Sequence, residues 1–336
     1  DIQMKEGNLN QVEGEGAVGL IASKLTVSGP INKGKTSWMF SGRRTYLDLF
    51  IVPIAEAANA QQISAYNFWD VNAKVNHIFS PKDRVYLSAY AGRDKYYQRM
   101  RNNPSPDLNE KENSDLRWGN ITSALRWNHK FSDKLFSNLT AIYTHYKFDL
   151  TTKIDIRDYT VDSLKLYREN GYFSNISDVG LKYDFNFYLN NQHQIRFGAN
   201  YLHHTMRPGV SEYQSHVQPD TTFGARRILM DEYFFYMEDD ISLTSGTMVN
   251  LGVHFSGAVV DGQSYTSLQP RITINQKLAP QWSLKASYAS MTQYIHLLVN
   301  SGVGLPTDLW VPSTKKVKPQ TSDQYAVGVA TTQKGL

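Results

Sequence analysis

The strongest constraint on this chain is an alternation of apolar and polar residues that persists for about ten residues at a time. The clearest case lies in residues 179–201, on both sides of a turn at 190–193. The apolar positions there are Val179, Leu181, Tyr183, Phe185 and Phe187 before the turn and Ile195, Phe197, Ala199 and Tyr201 after it. A period of two indicates β-strands whose two faces meet different surroundings.

The connections between these strands alternate between short and long. Residues with turn chemistry predict short turns at 32–35, 80–83, 132–134, 190–193, 245–247, 279–281 and 333–335. Long connections are predicted at 50–66, 98–114, 151–174, 207–225, 259–267 and 296–322. The pattern gives about 13 strands, each roughly 10 to 15 residues long. Short turns at one end and long loops at the other are typical of an outer-membrane β-barrel.

Composition supports a membrane barrel and excludes a helical membrane protein. Aromatic residues make up 12% of the 336 residues, yet the mean hydropathy is -0.45. The apolar runs are far shorter than the ~20 residues of a spanning helix. A barrel can span while looking hydrophilic, since every second residue faces a polar lumen. We therefore predict an all-β fold, an antiparallel transmembrane β-barrel. Aromatics beside the short turns, namely Phe79, Phe131, Phe136, Tyr188 and Trp282, would form an interfacial girdle.

Other classes of protein are less consistent with the sequence. A spacing near 50 residues between short turns also suits a kelch-type propeller, but no motif is shared between the periods. The charge of +4 is spread along the chain, which argues against nucleic-acid binding. No His-Glu-x-x-His or Gly-x-Ser-x-Gly motif is present, so we predict no enzyme, no catalytic residues and no cofactor. Adjacent His203 and His204 would point to opposite faces of a strand and could not share a metal.

Four residues are candidates for ligand contact. Arg43 and Arg44 are adjacent in a strand, so one should face the lumen and the other should face outward near the outer rim. Their role is either structural at that rim or in contact with a ligand or lipopolysaccharide. Tyr294 and Trp310 belong to a long connection with two prolines, which is either a packed cap or a binding loop.

Several segments resemble a TonB-dependent outer-membrane receptor. The resemblance is carried by DIQMKEGN at 1–8, SGPI at 28–31, KGKTS at 33–37, SGRRTYLD at 41–48, WVP at 310–312 and KPQTS at 318–322. It implies a barrel of the 22-stranded plugged type, of which about 13 strands are present here. Residues 1–8 would be the end of the plug or the plug–barrel junction. Residues 9–336 would be the N-terminal part of an incomplete barrel.

The resemblance also implies a function and partners. The expected function is energy-coupled uptake of a scarce ligand, such as a siderophore, vitamin, glycan or peptide, across the bacterial outer membrane. The expected partners are outer-membrane lipid and lipopolysaccharide, the TonB complex acting through the plug, and a possible surface lipoprotein. The alternatives are a passive porin or a surface-binding barrel without a plug, and a soluble all-β binding module.

Overall fold

A computed structural model of the chain describes residues 4–105, 108–158, 164–215, 219–224, 226–298 and 309–332. These ranges contain seventeen strands and one helix. In chain order they are β1 (Glu13–Val18), β2 (Ala22–Asn32), β3 (Thr36–Thr45), α1 (Asp48–Ala57), β4 (Gln62–Ser80), β5 (Asp83–Ser105), β6 (Leu108–Lys130), β7 (Leu135–Asp158), β8 (Leu164–Tyr188), β9 (His193–Ser215), β10 (Thr221–Gly224), β11 (Ile228–Ser242), β12 (Thr247–Val260), β13 (Gln263–Ala279), β14 (Trp282–Gln293), β15 (Ile295–Leu298), β16 (Leu309–Pro312) and β17 (Gln320–Thr331).

The strands form one large antiparallel sheet in which neighbours in sequence are neighbours in space. Its order runs from β1 to β9, then through β11 to β14, and ends at β17. The short β10 adds to β9, while β15 and β16 form a separate two-stranded sheet. The predicted all-β antiparallel fold is confirmed, and the described path of fourteen strands agrees with the predicted number of about 13.

The two sides of the sheet differ in chemistry. On one side, called here the lipid-facing side, large apolar residues remain exposed: Leu87, Ile121, Tyr143, Leu181, Tyr201, Phe235, Leu251 and Val327. Strand register places these residues on the same side of the sheet. The alternate positions form the lumen side, which holds charged residues such as Arg126, Lys182 and Glu238. Exposed apolar area of this extent requires lipid to cover it.

Six of the predicted short turns are confirmed. The structure has tight connections at 33–35, 81–82, 131–134, 189–192, 243–246 and 280–281. At 189–192 the Asn190 Oδ1 accepts backbone N–H groups of Gln192 and His193 at 2.8 and 2.9 Å, a local bond that favours a turn over a strand. The seventh predicted turn, at 333–335, lies outside the described residues.

The predicted strand lengths are wrong for the middle of the sheet. Strands β5 to β9 contain 23 to 25 residues each and continue through much of the predicted long connections at 98–114 and 151–174. On β5 and β6 these extensions are mostly polar on both sides, so the alternation that identified strands in the sequence is lost there. On β7 and β8 an alternation remains in the opposite phase, with Ile154, Ile156 and Leu166 on the lumen side and charged residues on the other side. Backbone pairing does not need that alternation, because hydrogen bonds between strands form in water as well as in lipid.

The predicted long connection at 259–267 is also wrong. Strands β12 and β13 are joined by two residues, Asp261 and Gly262, with φ of 48° and 73°. Both angles are in the left-handed region, as a type I′ hairpin requires, and Asp-Gly is a preferred pair for that turn. The predicted long connection at 50–66 contains most of α1, followed by the start of β4.

The aromatic girdle is only partly as predicted. Phe79, Phe131 and Trp282 are exposed on the lipid-facing side near short turns. Phe136 and Tyr188 fall at positions that register assigns to the lumen side, so their place in the girdle is wrong. Over the described ranges, no helix has the length and apolar character needed to cross a membrane.

Candidate ligand-binding site

The hairpin formed by β15 and β16 folds back over the lumen side of the sheet. Its first anchor is Tyr294, which is 2% exposed just before β15. The ring packs in a buried cluster with Met206, Met230, Ala258 and Val260, which come from β9, β11 and β12. The phenol oxygen of Tyr294 lies 2.8 Å from the Ser256 hydroxyl, which also accepts a bond from Gln269 Nε2 at 2.6 Å. The hairpin is therefore attached to the wall by packing and by hydrogen bonds.

The wall leaves space for this hairpin for two reasons. On β12, the lumen-side residues Ser256 and Ala258 are small, which lets an aromatic ring approach the backbone. Strands β13 and β14 also stop pairing beyond Arg271 and Ala289. The next residue of β13 is Pro270, which has no backbone N–H to donate to a neighbouring strand.

A second anchor closes the base of the hairpin. The backbone N–H and the hydroxyl of Ser313 both donate to the carbonyl of Tyr294, at 2.7 and 2.9 Å. The Ser313 hydroxyl also lies 2.9 Å from Nε2 of His296. All three residues are buried, so these bonds satisfy polar groups that would otherwise destabilise the hairpin by about 1 to 3 kcal/mol each.

A buried ionic cluster lies beside this anchor. His204 Nδ1 is 2.7 Å from Asp178 Oδ1, and its Nε2 is 3.8 Å from Glu232 Oε2. These groups lie near the outer ends of β11 and β12 and midway along β8 and β9, level with the pair of His203 and Asp231 on the lipid-facing side. Burial alone would lower the pKa of His204, but the two carboxylates outweigh it and raise that pKa to about 9. At neutral pH the histidine is therefore a cation.

The hairpin borders a cavity of about 760 Å³ in the lumen wall. Its lining combines an acid, a base, an imidazole and two aromatic rings, provided by Glu232, Arg271, His254, Phe234 and Tyr294. The volume is within the range of sites for small molecules, and the convergence of charged and aromatic groups suits a ligand with both polar and flat apolar parts.

The structure separates the four candidates predicted from sequence into two places. Arg43 faces the lumen, where it donates to Asp70 Oδ2 at 2.8 Å and lies 4.9 Å from the Phe68 ring centroid. Arg44 is on the lipid-facing side, in register with Trp69. These two residues therefore point to opposite sides, as the alternation predicts. Nine strands of the sheet separate β3 from β14, so strand pairing does not bring the arginines to the hairpin.

Tyr294 and Trp310 do belong together on the hairpin. Trp310, in β16, is 38% exposed and in register with Leu297 of β15. Tyr294 is buried and forms the anchor described above, so the packed-cap interpretation describes its contacts. The part of the predicted binding loop at 299–308 lies outside the described residues. Ligand contact by any of the four residues stays a prediction.

Sequence reasoning did not select the cavity residues Arg271, His254 and Gln269. Only strand register identifies them as a group, since they lie on one side of β12 and β13, where these strands pair. Finding them would have required the strand pairing as well as the alternation. His203 and His204 do face opposite sides, with partners Asp231 and Asp178. Among the side chains that the structure describes, no group of three His, Asp or Glu residues could hold a metal ion.

The antiparallel meander with a lipid-facing apolar side and a charged lumen side defines an outer-membrane β-barrel protein. A family model described as TonB dependent receptor-like, beta-barrel, matches residues 45–336. The chain therefore belongs to the TonB-dependent receptor family, whose members lie in the outer membrane of Gram-negative bacteria. No curated protein matches the sequence.

Solved structures share the fold at low sequence identity. One is P. aeruginosa FpvA bound to heterologous pyoverdines, with a TM-score of 0.60 and 12% identity, covering 96% of this chain and 46% of that protein. The siderophore receptor PiuA from Acinetobacter baumannii gives 0.60 and 12%, covering 97% and 55%. The copper transporter OprC gives 0.62 and 10%, covering 98% and 53%. The chain thus spans about half the length of these structures.

Proposed function

We propose that this chain forms part of the wall of a receptor that takes up a scarce ligand across the outer membrane by energy-coupled transport. The single observation that carries the proposal is the family match over residues 45–336. Family membership favours this function over a passive porin or a surface-binding barrel without a plug. The proposed ligand is a siderophore, vitamin, glycan or peptide, and the names of the structural neighbours favour a metal-containing ligand.

Contacts of the N-terminal segment support its assignment to a plug–barrel junction at residues 1–8. The carbonyl of Gly7 accepts a bond from the Ser37 hydroxyl at 2.8 Å, and that of Met4 accepts one from Lys74 Nζ at 3.1 Å. Glu6 lies 3.6 Å from the same ammonium group. Register places Ser37 and Lys74 on the lumen side, so residues 4–7 follow the inner wall. In the proposal, residues 9–336 are the N-terminal part of the barrel, and the TonB complex acts through the plug.

The cavity beside the hairpin is the proposed place of ligand contact. Arg271 provides a cation and Glu232 an anion, while Phe234 and Tyr294 provide aromatic surface. In this arrangement Tyr294 holds the hairpin in place, and the exposed ring of Trp310 is free to contact a ligand that enters from outside. A surface lipoprotein that covers the outer end of the barrel is a further proposed partner.

Binding to the purified full-length protein tests the proposal. The probes are ferric siderophores, cobalamin, oligosaccharides and short peptides, titrated by calorimetry. We expect one class to bind, and we expect Arg271→Gln to weaken it by about tenfold, since a charged hydrogen bond contributes roughly 1.5 kcal/mol. Lys182→Gln is the control, because Lys182 is a lumen-side base on β8 outside the cavity. Binding of no probe, or equal weakening by both substitutions, would contradict the proposed site.

A further inference from the structure

The lumen side of β13, β14 and β17 carries bases and no acids. Arg271 and Lys277 lie on β13, and Lys285 lies on β14 opposite Asn275. Register places all three bases on the lumen side, because Arg271 pairs with Gly252 and the other two follow at alternate positions. Among the described positions on the lumen side of β12, β13, β14 and β17, none is Asp or Glu. The three bases therefore form a column of one sign.

These bases have no partners of opposite charge. Within the ranges that the structure describes, Arg271, Lys277 and Lys285 have no carboxylate within 4.0 Å. The acids on the lumen side of β8 and β11 contact cations of their own part of the wall: Asp178 and Glu232 contact His204, Asp184 contacts Lys182, and Glu238 and Asp240 contact Arg196. The column therefore keeps its positive charge, which is available to an anion.

The side chains around the column are small. On the same side, the three strands present Thr273, Ser283, Ser287, Ala289, Ala326, Gly328 and Ala330. Other parts of the lumen side carry large rings, such as Tyr86 and Tyr90 on β5 and Phe234 and Tyr236 on β11. Small side chains leave open space along the wall. We call the lumen side of β13, β14 and β17 at the level of residues 271–277 the basic groove.

The basic groove joins two cavities that lie along the same strands. At its outer end is the cavity of about 760 Å³ beside the hairpin, which includes Arg271. At its other end is a cavity of about 560 Å³, which includes Lys277 and Lys285 and reaches the short turns at 243–246 and 280–281. The end with short turns is the periplasmic one in an outer-membrane barrel. The groove therefore leads from the proposed place of ligand contact toward the periplasm.

The bases follow one another along the groove. Lys285 is level with Asn275, four residues from Arg271, and Lys277 lies two residues further. At about 3.4 Å per residue, these steps are roughly 14 and 7 Å. All three side chains are exposed on the wall, so each holds an anion only weakly. Several weak sites in succession let an anion enter and also leave, which a single tight site would prevent.

We propose that the transported ligand is anionic and passes from the hairpin cavity to the periplasm along the basic groove, between this wall and the plug. Arg271 contacts the anionic group first, and Lys285 and Lys277 then attract it toward the short turns. The small side chains of β14 and β17 provide the space for its passage. This inference rests on the proposed function, because it requires a receptor that transports a ligand, and it adds the charge of the ligand and the place of passage.

Charged thiol reagents test the groove in the folded full-length protein, whatever it transports. Ser287→Cys places a thiol beside Thr273, between Arg271 and Lys285, in a chain whose residues 1–336 have no cysteine. The probes are an anionic sulfonatoethyl and a cationic trimethylammonioethyl methanethiosulfonate. Relative to their reaction with free cysteine, we expect the ratio of the anionic to the cationic rate to rise about fivefold. Lys277→Gln with Lys285→Gln should remove most of this rise.

The control thiol is Asn200→Cys on the lumen side of β9, where Asn200 pairs with Lys182 and Phe234. It is three strand spacings, or about 14 Å, from β13, which exceeds the screening length of about 8 Å at physiological salt. Its rate ratio should therefore change less than twofold when both lysines are replaced. An equal rate ratio for Ser287→Cys and free cysteine, or a preference that survives loss of both lysines, would overturn the proposal.

Uptake by cells that produce the full-length protein tests the passage itself. The probes are two pairs that differ in charge: a trianionic ferric tris(catecholate) with a neutral ferric tris(hydroxamate), and an oligogalacturonate with a neutral cello-oligosaccharide. We expect an anionic probe to accumulate and its neutral counterpart not to. Lys277→Gln with Lys285→Gln should slow that accumulation about tenfold while the Kd changes less than twofold, because neither lysine lines the hairpin cavity.

The matched control for uptake is Arg126→Gln with Lys182→Gln, which removes two lumen-side bases from β6 and β8, outside the groove. Accumulation in this variant should stay within twofold of the unaltered protein. Heat-modifiable electrophoretic mobility reports folding of each variant, and if the double lysine variant does not fold, Lys285→Gln alone should slow uptake about threefold.

Three uptake results would overturn the proposal. One is accumulation of an anionic probe that the folded lysine variant leaves unchanged. Another is an equal loss in the control pair, which would mean that only total charge matters. The third is accumulation of a neutral probe at the rate of its anionic counterpart. If the unaltered protein accumulates no probe, the proposed function fails for these probes, and the thiol rates alone decide the charge of the groove.

Discussion

Tyr294 attaches the hairpin to the lumen side of the sheet more through the packing of its ring than through the hydrogen bond of its hydroxyl. The ring is enclosed by Met206, Met230 and Val260, and the hydroxyl has the single close partner Ser256 among the described contacts. Losing a buried aromatic ring costs about 3 to 5 kcal/mol, whereas losing one hydrogen bond costs about 1 kcal/mol. The attachment of the hairpin should therefore respond very differently to two substitutions at this position.

We predict that Tyr294→Ala releases the hairpin and that Tyr294→Phe largely preserves it. The reporter is Ser313→Cys, because Ser313 is fully buried and this sequence has no cysteine. Relative to the reporter alone, maleimide labelling should accelerate at least 50-fold with Tyr294→Ala and about fivefold with Tyr294→Phe. Equal rates in both would contradict packing as the main attachment.

His204 should make the outer lumen wall sensitive to alkaline pH. Its pKa of about 9 in the folded protein is above the ordinary value of 6.5 because Asp178 and Glu232 stabilise the cation. The stabilisation is therefore complete below pH 6.5 and is lost as the pH rises through 9.

We predict that the temperature at which heat-modifiable mobility is lost falls between pH 6.5 and pH 10, and falls less in His204→Gln. The remaining slope in that variant measures all other titrating groups. A variant with the same pH dependence as the unaltered protein would show that His204 keeps an ordinary pKa.

At the level of single elements, turn chemistry was the most readable signal in the sequence. Asn190 at 190–193 and the short turn at 80–83 were predicted from local hydrogen-bonding residues, and both form as expected. The outer extensions of β5 to β9 were not predicted, because they do not continue the alternation with apolar residues on the lipid-facing side: β5 and β6 are mostly polar there, and β7 and β8 alternate in the opposite phase. The segment of the folded-back hairpin was predicted as either a packed cap or a binding loop, but its partners were not predicted, since they lie on β9, β11 and β12, far away in sequence.

The Asp261–Gly262 turn gives a direct test at this scale. Gly262 has φ of 73° with open space around it, so a side chain there meets a backbone penalty and no steric clash. We predict that Gly262→Ala destabilises the turn by roughly 1 kcal/mol and accelerates amide exchange in 259–264 about fivefold. Gly14→Ala is the control, since that glycine lacks a positive φ and its nearest contact is 3.7 Å away. Unchanged exchange with Gly262→Ala would contradict the type I′ geometry.

At the scale of the whole molecule, the barrel could be predicted from the sequence because the pattern that a barrel requires is present within each strand. Each strand must present one side to lipid and one to the lumen, and that requirement appears at alternate positions whichever strands pair. The cavity beside the hairpin depends on which strands are adjacent. Arg271 and Glu232 were visible as charges in the sequence, but only strand register shows that both lie on one surface.

Uptake in cells tests whether this wall belongs to an energy-coupled receptor, as proposed above. A strain that lacks the gene is complemented with the full-length protein, with or without the energy-transducing complex, and accumulation of labelled ferric siderophores, cobalamin, oligosaccharides and peptides is measured. We expect at least one probe to accumulate only when both the protein and the complex are present. Accumulation that requires the protein but is equal without the complex would identify a passive channel and contradict energy-coupled uptake.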